Sequence, residues 1–119
     1  MKRKINIGKK EVTLEADGLT PMKYREAFPG RDIIIELMEI DEMREEGEND
    51  YIDIGIYDRL AYVMSGANDE GVEFESWLKQ FGPTDIFFAS FEIMSVWNQN
   101  AASQSEGGDE SKKLQAEES

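Results

Sequence analysis

Glu39, Asp41, Glu42, Glu45, Glu46, Glu48, Asp50 and Asp53 crowd together with Arg44 as the one cation among them. Carboxylates in such numbers suit two chemistries, ligation of a hard cation and paired acid/base catalysis. A calcium-binding loop needs oxygen ligands at alternate positions, glycine at the sixth and a carboxylate at the twelfth. Counting from Glu42 puts Gly47 and Asp53 in the last two of those places, but Arg44 then falls on a ligand position and would repel the ion. The segment therefore reads as a solvated acidic loop. Paired carboxylates are expected by chance at this acid content, and a small helical domain leaves little room for a cleft around them. With Cys 0 and His 0 there is no thiolate, imidazole base, disulfide or ordinary zinc site. We expect a protein without catalytic activity, metal or cofactor.

Charge narrows the partners. The formal net charge is −13, with residues 1–31 mildly basic and the remainder strongly acidic. Such a field repels nucleic-acid phosphates and anionic lipid headgroups, so we expect neither nucleic acid nor membrane as a partner. It could instead imitate DNA toward a basic DNA-binding enzyme, which is the alternative function to weigh. No apolar run approaches the ~20 residues that span a bilayer, and the lysine-rich start leads into alternation, not a signal-peptide core. A cytoplasmic protein is expected, and the absence of cysteine fits a reducing compartment.

The richest apolar chemistry lies between Phe74 and Trp97. Phe74, Trp77, Leu78, Phe81, Ile86, Phe87, Phe88, Phe91, Met94 and Trp97 are more large side chains than two short helices need for one buried stripe each. Phe87 and Phe88 cannot both point the same way, because neighbours on a helix lie ~100° apart. Some of these aromatics must reach the surface, where they suit an interface. Met22, Met38, Met43, Met64 and Met94 add flexible apolar side chains that serve either a core or an adaptable surface.

The elements that carry these residues follow from periodicity. Residues 4–7 and 11–16 alternate apolar and polar about Gly8-Lys9-Lys10, predicting a β-hairpin. A lone hairpin is marginal in water, so its Ile5, Ile7, Val12 and Leu14 face must pack on the helices that follow. Thr20-Pro21 starts a first helix, with Thr20 as its cap and Leu19 stapled onto Tyr24. Pro29-Gly30 ends it, and Asp32 is placed to cap a second helix from Ile33 to about Arg44, striped by Ile33, Leu37 and Ile40 with Ile34 and Met38. Ile56, Leu60, Val63 and Ala67 mark a third helix. A fourth carries Phe74 to Phe81, and a fifth, capped by Thr84, runs through Trp97. From 101 the composition turns to Ser, Gly, Glu and Lys, predicting a disordered acidic tail. The reading is one α+β domain, mainly α, over 1–100, with 101–119 as the tail.

The order of these signals carries a resemblance. Leu19-Thr20-Pro21-x-x-Tyr24-Arg25-x-x-Phe28-x-Gly30-Arg31-Asp32 is followed by Leu60-Ala61-Tyr62-Val63-Met64 and by Phe74-Glu75-x-Trp77-Leu78-x-Gln80-Phe81. Asp85-Ile86-Phe87 and Trp97-Asn98-x-Asn100 close the series. The series resembles the tail assembly chaperones of long-tailed phages and prophages of Gram-positive bacteria. It departs from them in the acidic 39–53 stretch and in lacking a proline near Phe91. The resemblance implies a non-catalytic protein of phage tail morphogenesis, in the host bacterial cytoplasm, that coats the hydrophobic, helical tape measure protein. It also implies a tail tube protein as partner of a longer, frameshifted form, and self-association. Trp77, Phe81, Phe87, Phe88, Phe91 and Trp97 are the expected partner-facing or partner-supporting residues.

Overall fold

In the segment Gly55–Met64, Ile56 and every residue from Arg59 to Met64 are buried. Such a helix is apolar nearly all round and belongs at the centre of a domain. A computed structural model of the chain, which describes residues 2–45, 47 and 53–106, places it there. The order is β1 (Lys2–Ile7), β2 (Lys10–Glu15), α1 (Thr20–Ala27), α2 (Ile33–Glu45), α3 (Gly55–Met64), α4 (Phe74–Leu78), α5 (Asp85–Phe88) and α6 (Ser90–Glu106). Helix α3 touches all five other described helices and β2. Burying side chains such as Leu60 and Ile56 completely is worth about 1.5–3 kcal/mol each. The described architecture is α+β and mainly α, as the periodicity predicts, and no described helix is long and apolar enough to cross a membrane.

The hairpin is antiparallel, with Ile5 opposite Val12 and Ile7 opposite Lys10. Gly8 turns it at φ 64°, a left-handed conformation that costs glycine little. A Cβ at Gly8 would also collide with the Asp85 carboxylate, so the turn sits hard against α5. Ile5, Ile7 and Leu14 are buried and Val12 half-buried, and the strands pack on α3, α5 and α6. This is the support the hairpin requires.

Three local expectations change in detail. Thr20 does not cap α1 with its hydroxyl. Its Oγ1 accepts from the Asp17 amide at 2.9 Å, while Asp17 Oδ1 accepts from the Leu19 amide at 2.9 Å. The turn before the helix is thus closed by Asp17, whose short carboxylate reaches its own neighbouring backbone. Leu19 is 51% exposed and staples nothing to Tyr24, which is buried. Thr84 makes no side-chain cap either; in the turn before α5 it is Asp85 Oδ2 that accepts from the Gly82 amide, at 2.8 Å. Asp32 does cap α2, its Oδ1 accepting from the Ile34 and Ile35 amides at 3.0 and 3.3 Å.

The helix expected over Thr84 to Trp97 is broken at Ala89 into α5 and α6. The interruption keeps Ile86, Ala89, Ile93 and Val96 on one buried line. Helix α2 ends at Glu45, before Gly47, where four like charges from Glu39 to Glu45 oppose the C-terminal end of the helix dipole. Helix α6 continues to Glu106. The remainder of the predicted disordered tail, 107–119, lies outside the described residues.

Candidate partner-binding site

The six aromatic residues singled out by the sequence fall into three places. Trp77 is 7% exposed, and Phe81 is half-buried with its ring 5.0 Å from Trp77. Their edge-to-face line continues through Phe74 of α4 itself, Tyr62 of α3 and Phe28 at the end of α1, with ring centroids 4.9 to 5.9 Å apart. This cluster fastens α4 to α3 and α1, and Tyr62 also donates its hydroxyl proton to the Val72 carbonyl. Trp77 therefore supports the surface from inside and does not face a partner. Phe87 and Phe88, on α5, form an exposed ring pair 5.6 Å apart. Phe91 is the most exposed large apolar side chain described, at 84%, and stands on α6 with Trp97, which is partly buried against the core.

Within 86–97 the core is aliphatic and the aromatics Phe87, Phe88 and Phe91 lie outside it. Side-chain size alone predicts the reverse, since large aromatics gain most from burial. Leaving them in water costs solubility unless they have a use.

Phe91 and Trp97 line a groove of ≈ 610 Å³ between α2 and α6. Both helices pack on α3, and Tyr57 of α3 also lines the groove. Leu37 and Met94 line its walls with Trp97, and Ile34 and Met38 form the α2 lip at 43% and 61% exposure. Sequence reasoning placed Ile34 and Met38 in a broad apolar stripe with Ile33, Leu37 and Ile40. A helix that buries Ile33 and Ile40 and half-buries Leu37 turns Ile34 and Met38 toward solvent.

Comparison of the chain with protein-family models, with curated proteins and with solved structures found no match. What the groove can do follows from its own side chains. It offers apolar contact along the length of two helices, with Asp41, Arg44, Ser90 and Asn98 at its margins. No group of three or more Asp or Glu suited to holding a metal occurs among the described residues. Of the acidic 39–53 stretch, 46 and 48–52 lie outside the described residues.

Its last member, Asp53, is engaged inside the protein. Arg59 is 9% exposed in the middle of α3 and donates from Nε to the Tyr24 hydroxyl at 2.7 Å. Its Nη2 donates to Asp53 Oδ2 at 2.8 Å and to Glu36 Oε1 at 3.3 Å. Tyr24 in turn donates to Glu36 Oε1 at 2.7 Å, and Arg31 reaches Glu36 Oε2 at 3.1 Å. The network locks α1, α2 and α3 together and so fixes the α2 wall of the groove. Nothing in the sequence reading identified it, although an arginine between Tyr57 and Leu60 in so apolar a helix is an available signal.

The network has a pH signature. Burial raises the Asp53 carboxyl, but the hydrogen bond and charge of Arg59, the Gly55 amide and the charge of Arg31 outweigh it and hold Asp53 below the ordinary carboxylate range. Burial works against the Arg59 guanidinium too, yet its bonds to Tyr24 and Asp53 keep it charged. Burial, with the bond to Glu36, pushes the Tyr24 phenol up, so it stays protonated. A depressed carboxyl stabilises the fold fully above the unfolded pKa of ~4 and loses that contribution as pH falls through its lower folded value. Asp53→Asn is therefore expected to lower the urea midpoint at pH 7 and to converge on the parent as pH falls through the depressed folded value of Asp53. A difference independent of pH between 7 and 3 would show that the Asp53 charge contributes nothing.

Proposed function

We propose that this chain is a tail assembly chaperone of the long-tailed phage and prophage type, a non-catalytic holdase for the tape measure protein. The observation that carries the reading is the set of large apolar side chains left in water. Ile34, Met38, Phe87, Phe88 and Phe91 are each at least 43% exposed, in a chain whose net charge of −13 keeps it in solution. A protein that masks a long helical client needs that combination of adaptable apolar surface and solubilising charge. The order of sequence signals from the hairpin to Asn100 gives the client its identity. On this reading the protein acts in the cytoplasm of the host bacterium, and a longer frameshifted form recruits the tail tube protein.

Co-expression with a tape measure protein, followed by size-exclusion chromatography with light scattering, tests the proposal. The expected result is a soluble complex holding several copies of this chain per client. A client that stays insoluble while this chain elutes alone would overturn the reading. Inhibition of a DNA-binding enzyme would then be the next assay, because the acidity also fits a DNA mimic.

A further inference from the structure

We propose that the outer edge of β1 is a second binding site, which pairs in strand fashion with an extended, acidic segment of another protein. The inference goes beyond the holdase reading and does not depend on it. The described sheet has two strands, so each leaves one edge unpaired. Ile7 and Lys10 flank the two-residue turn as a hydrogen-bonded pair, and such pairs alternate along an antiparallel ladder. Arg3 and Ile5 are therefore bonded to β2, whereas the amides and carbonyls of Lys2, Lys4 and Asn6 point away from it. Among the described residues no hydrogen bond reaches those outward groups. All three residues are exposed, and the six residues of β1 offer about 20 Å of open edge.

Charge decides what pairs there. Lys2, Arg3, Lys4, Lys9 and Lys10 stand within residues 1–10 with no acid among them, in a chain of net charge −13. Among the described residues none of the five holds a carboxylate in an ion pair, whereas Lys23, Arg25, Arg31 and Arg59 each hold one at 2.8 to 3.3 Å. The acids of the hairpin, Glu11 and Glu15, belong to β2 and so to the opposite edge. Lys2 and Lys4 lie on the solvent face of β1, since Ile5 and Ile7 take the buried face. Lysines along an edge turn most strands away, which protects the fold from adventitious pairing. They admit a strand whose facing residues are acidic, because opposite charges across a ladder attract and like charges repel. Two β1 edges paired about a two-fold axis would set lysine near lysine, which disfavours a second copy in that arrangement. Main-chain bonds would supply affinity and the lysines specificity.

The probe is a fluorescein-labelled peptide of about eight residues, glutamate alternating with threonine, titrated into the full chain by fluorescence anisotropy. One twin carries lysine at every glutamate. Two further twins are N-methylated, one at its glutamates and the other at its threonines. The glutamate peptide is expected to bind at least about tenfold more tightly than the lysine twin, with the gap narrowing as salt rises. One of the two N-methylations should weaken binding by about tenfold or more and the other far less, because one edge of an added strand faces β1 and the other faces solvent. Lys4→Glu should reverse the preference between the charged twins, with helical circular dichroism unchanged. Asn6→Pro removes one outward amide without changing charge and should weaken the glutamate peptide. If that variant disturbs the hairpin, the N-methylated peptides make the same test on the parent chain. Hydrogen exchange gives a direct reading. In the free chain the Lys4 and Asn6 amides should exchange faster than those of Ile5 and Ile7, and become protected as the peptide binds.

Absence of binding, equal binding of the charged twins, or equal tolerance of both N-methylations would overturn the proposal, the last because charge alone would then hold the peptide. So would Lys4 and Asn6 amides that are already protected in the free chain. Protection that rises with chain concentration would assign the edge to a second copy, and protection independent of concentration to another part of this chain. Tighter binding of a labelled single-stranded oligonucleotide than of the glutamate peptide would assign the lysines to nucleic acid. The site and the chaperone reading fail separately. Client solubilisation without peptide binding keeps the chaperone and removes the site, and peptide binding without client solubilisation does the reverse.

Discussion

Arg59→Met is expected to cost about 3 kcal/mol of folding stability, which in a domain of this size lowers the melting temperature by roughly 10 °C. Methionine retains the length and the apolar stem of the side chain but removes three donated hydrogen bonds. Glu36 and Asp53 would lose their more buried cation and keep only the half-exposed Arg31, at 3.1 and 3.6 Å, and Tyr24 would keep only its bond to Glu36. Removing one member of a buried ion pair costs about 3–5 kcal/mol, because the remaining charge is left uncompensated. The lower end applies here, since the Asp53 side chain is 41% exposed and can recover water, whereas Glu36 at 16% recovers less. Tyr24→Phe should cost only about 1 kcal/mol, the net value of an ordinary buried hydrogen bond. Urea denaturation of Arg59→Met, Glu36→Gln and the double variant decides the matter. The double variant should be more stable than the sum of the single losses predicts, by about 1 kcal/mol or more, because glutamine at 36 removes the stranded charge. Additive losses would show that Arg59 acts through its packing alone.

The consequence reaches the groove. Glu36 lies on α2, between the exposed Ile35 and half-buried Leu37, and its bonds to Arg59 and Arg31 fix the rotation of that helix. A rotation of α2 by one residue, about 100°, would carry the half-buried face round toward solvent. The polar network therefore determines that Ile34 and Met38 form the lip while Leu37 lines the wall. A buried polar network that sets a register, and so contributes specificity as well as stability, is among the best attested uses of such groups.

How much of this was legible in the sequence depends on the kind of signal. The hairpin was readable because period-two alternation on either side of Gly8 has few other interpretations. The third helix was readable because Ile56, Leu60 and Val63 repeat at helical spacing through an apolar run. The Asp32 cap was readable because its effect is confined to the following turn. The caps assigned to Thr20 and Thr84 were not: the Thr20 hydroxyl is turned back to the Asp17 amide, and Thr84 makes no cap bond at all. Side-chain chemistry names the residues that can cap, and only geometry chooses among them.

The site was legible in part for a similar reason. Adjacent Phe87 and Phe88 were expected to point apart, with some aromatics exposed; Phe91 is exposed, but Phe87 and Phe88 are exposed together with their rings 5.6 Å apart, because Ile86 and Ala89 supply the buried side of so short a helix. The α2 lip went unread although Ile33-Ile34-Ile35 poses the same steric problem as Phe87-Phe88. The groove itself needs two helices, far apart in sequence, to stand side by side on α3, and nothing local records that spacing. Arg59 reads locally as a charge interrupting an apolar helix. Its partners come from α1, α2 and the approach to α3, so its role exists only in the folded chain.

Trp77→Ala and Phe88→Asp should have opposite consequences, although both remove an aromatic side chain from the same stretch of sequence. Trp77 is 7% exposed and stands between Tyr62 and Phe81, with ring centroids 5.7 and 5.0 Å away. Truncating a buried tryptophan costs about 3–5 kcal/mol through lost transfer energy and the cavity left behind. Each edge-to-face pair adds about 0.5–1.5 kcal/mol to the loss. The value should fall near the top of that range, because α4 spans only Phe74–Leu78 and has little else to hold it on α3. Phe88 is 77% exposed, so replacing it with aspartate should change stability by no more than about 0.5 kcal/mol. Its effect should appear in client capture instead, where a charge in a desolvated apolar contact costs about 2 kcal/mol or more. Chemical denaturation and co-purification with the client separate the two variants. Trp77→Ala should unfold at markedly lower denaturant, and Phe88→Asp should retain the parent midpoint while losing the client. If Phe88→Asp still captures the client as the parent does, Phe88 belongs to solvent and the interface narrows to the Phe91 side of the surface. If Trp77→Ala keeps the parent midpoint, the line of rings from Phe28 to Phe81 is not what fastens α4, and the division of the aromatics into support and surface fails.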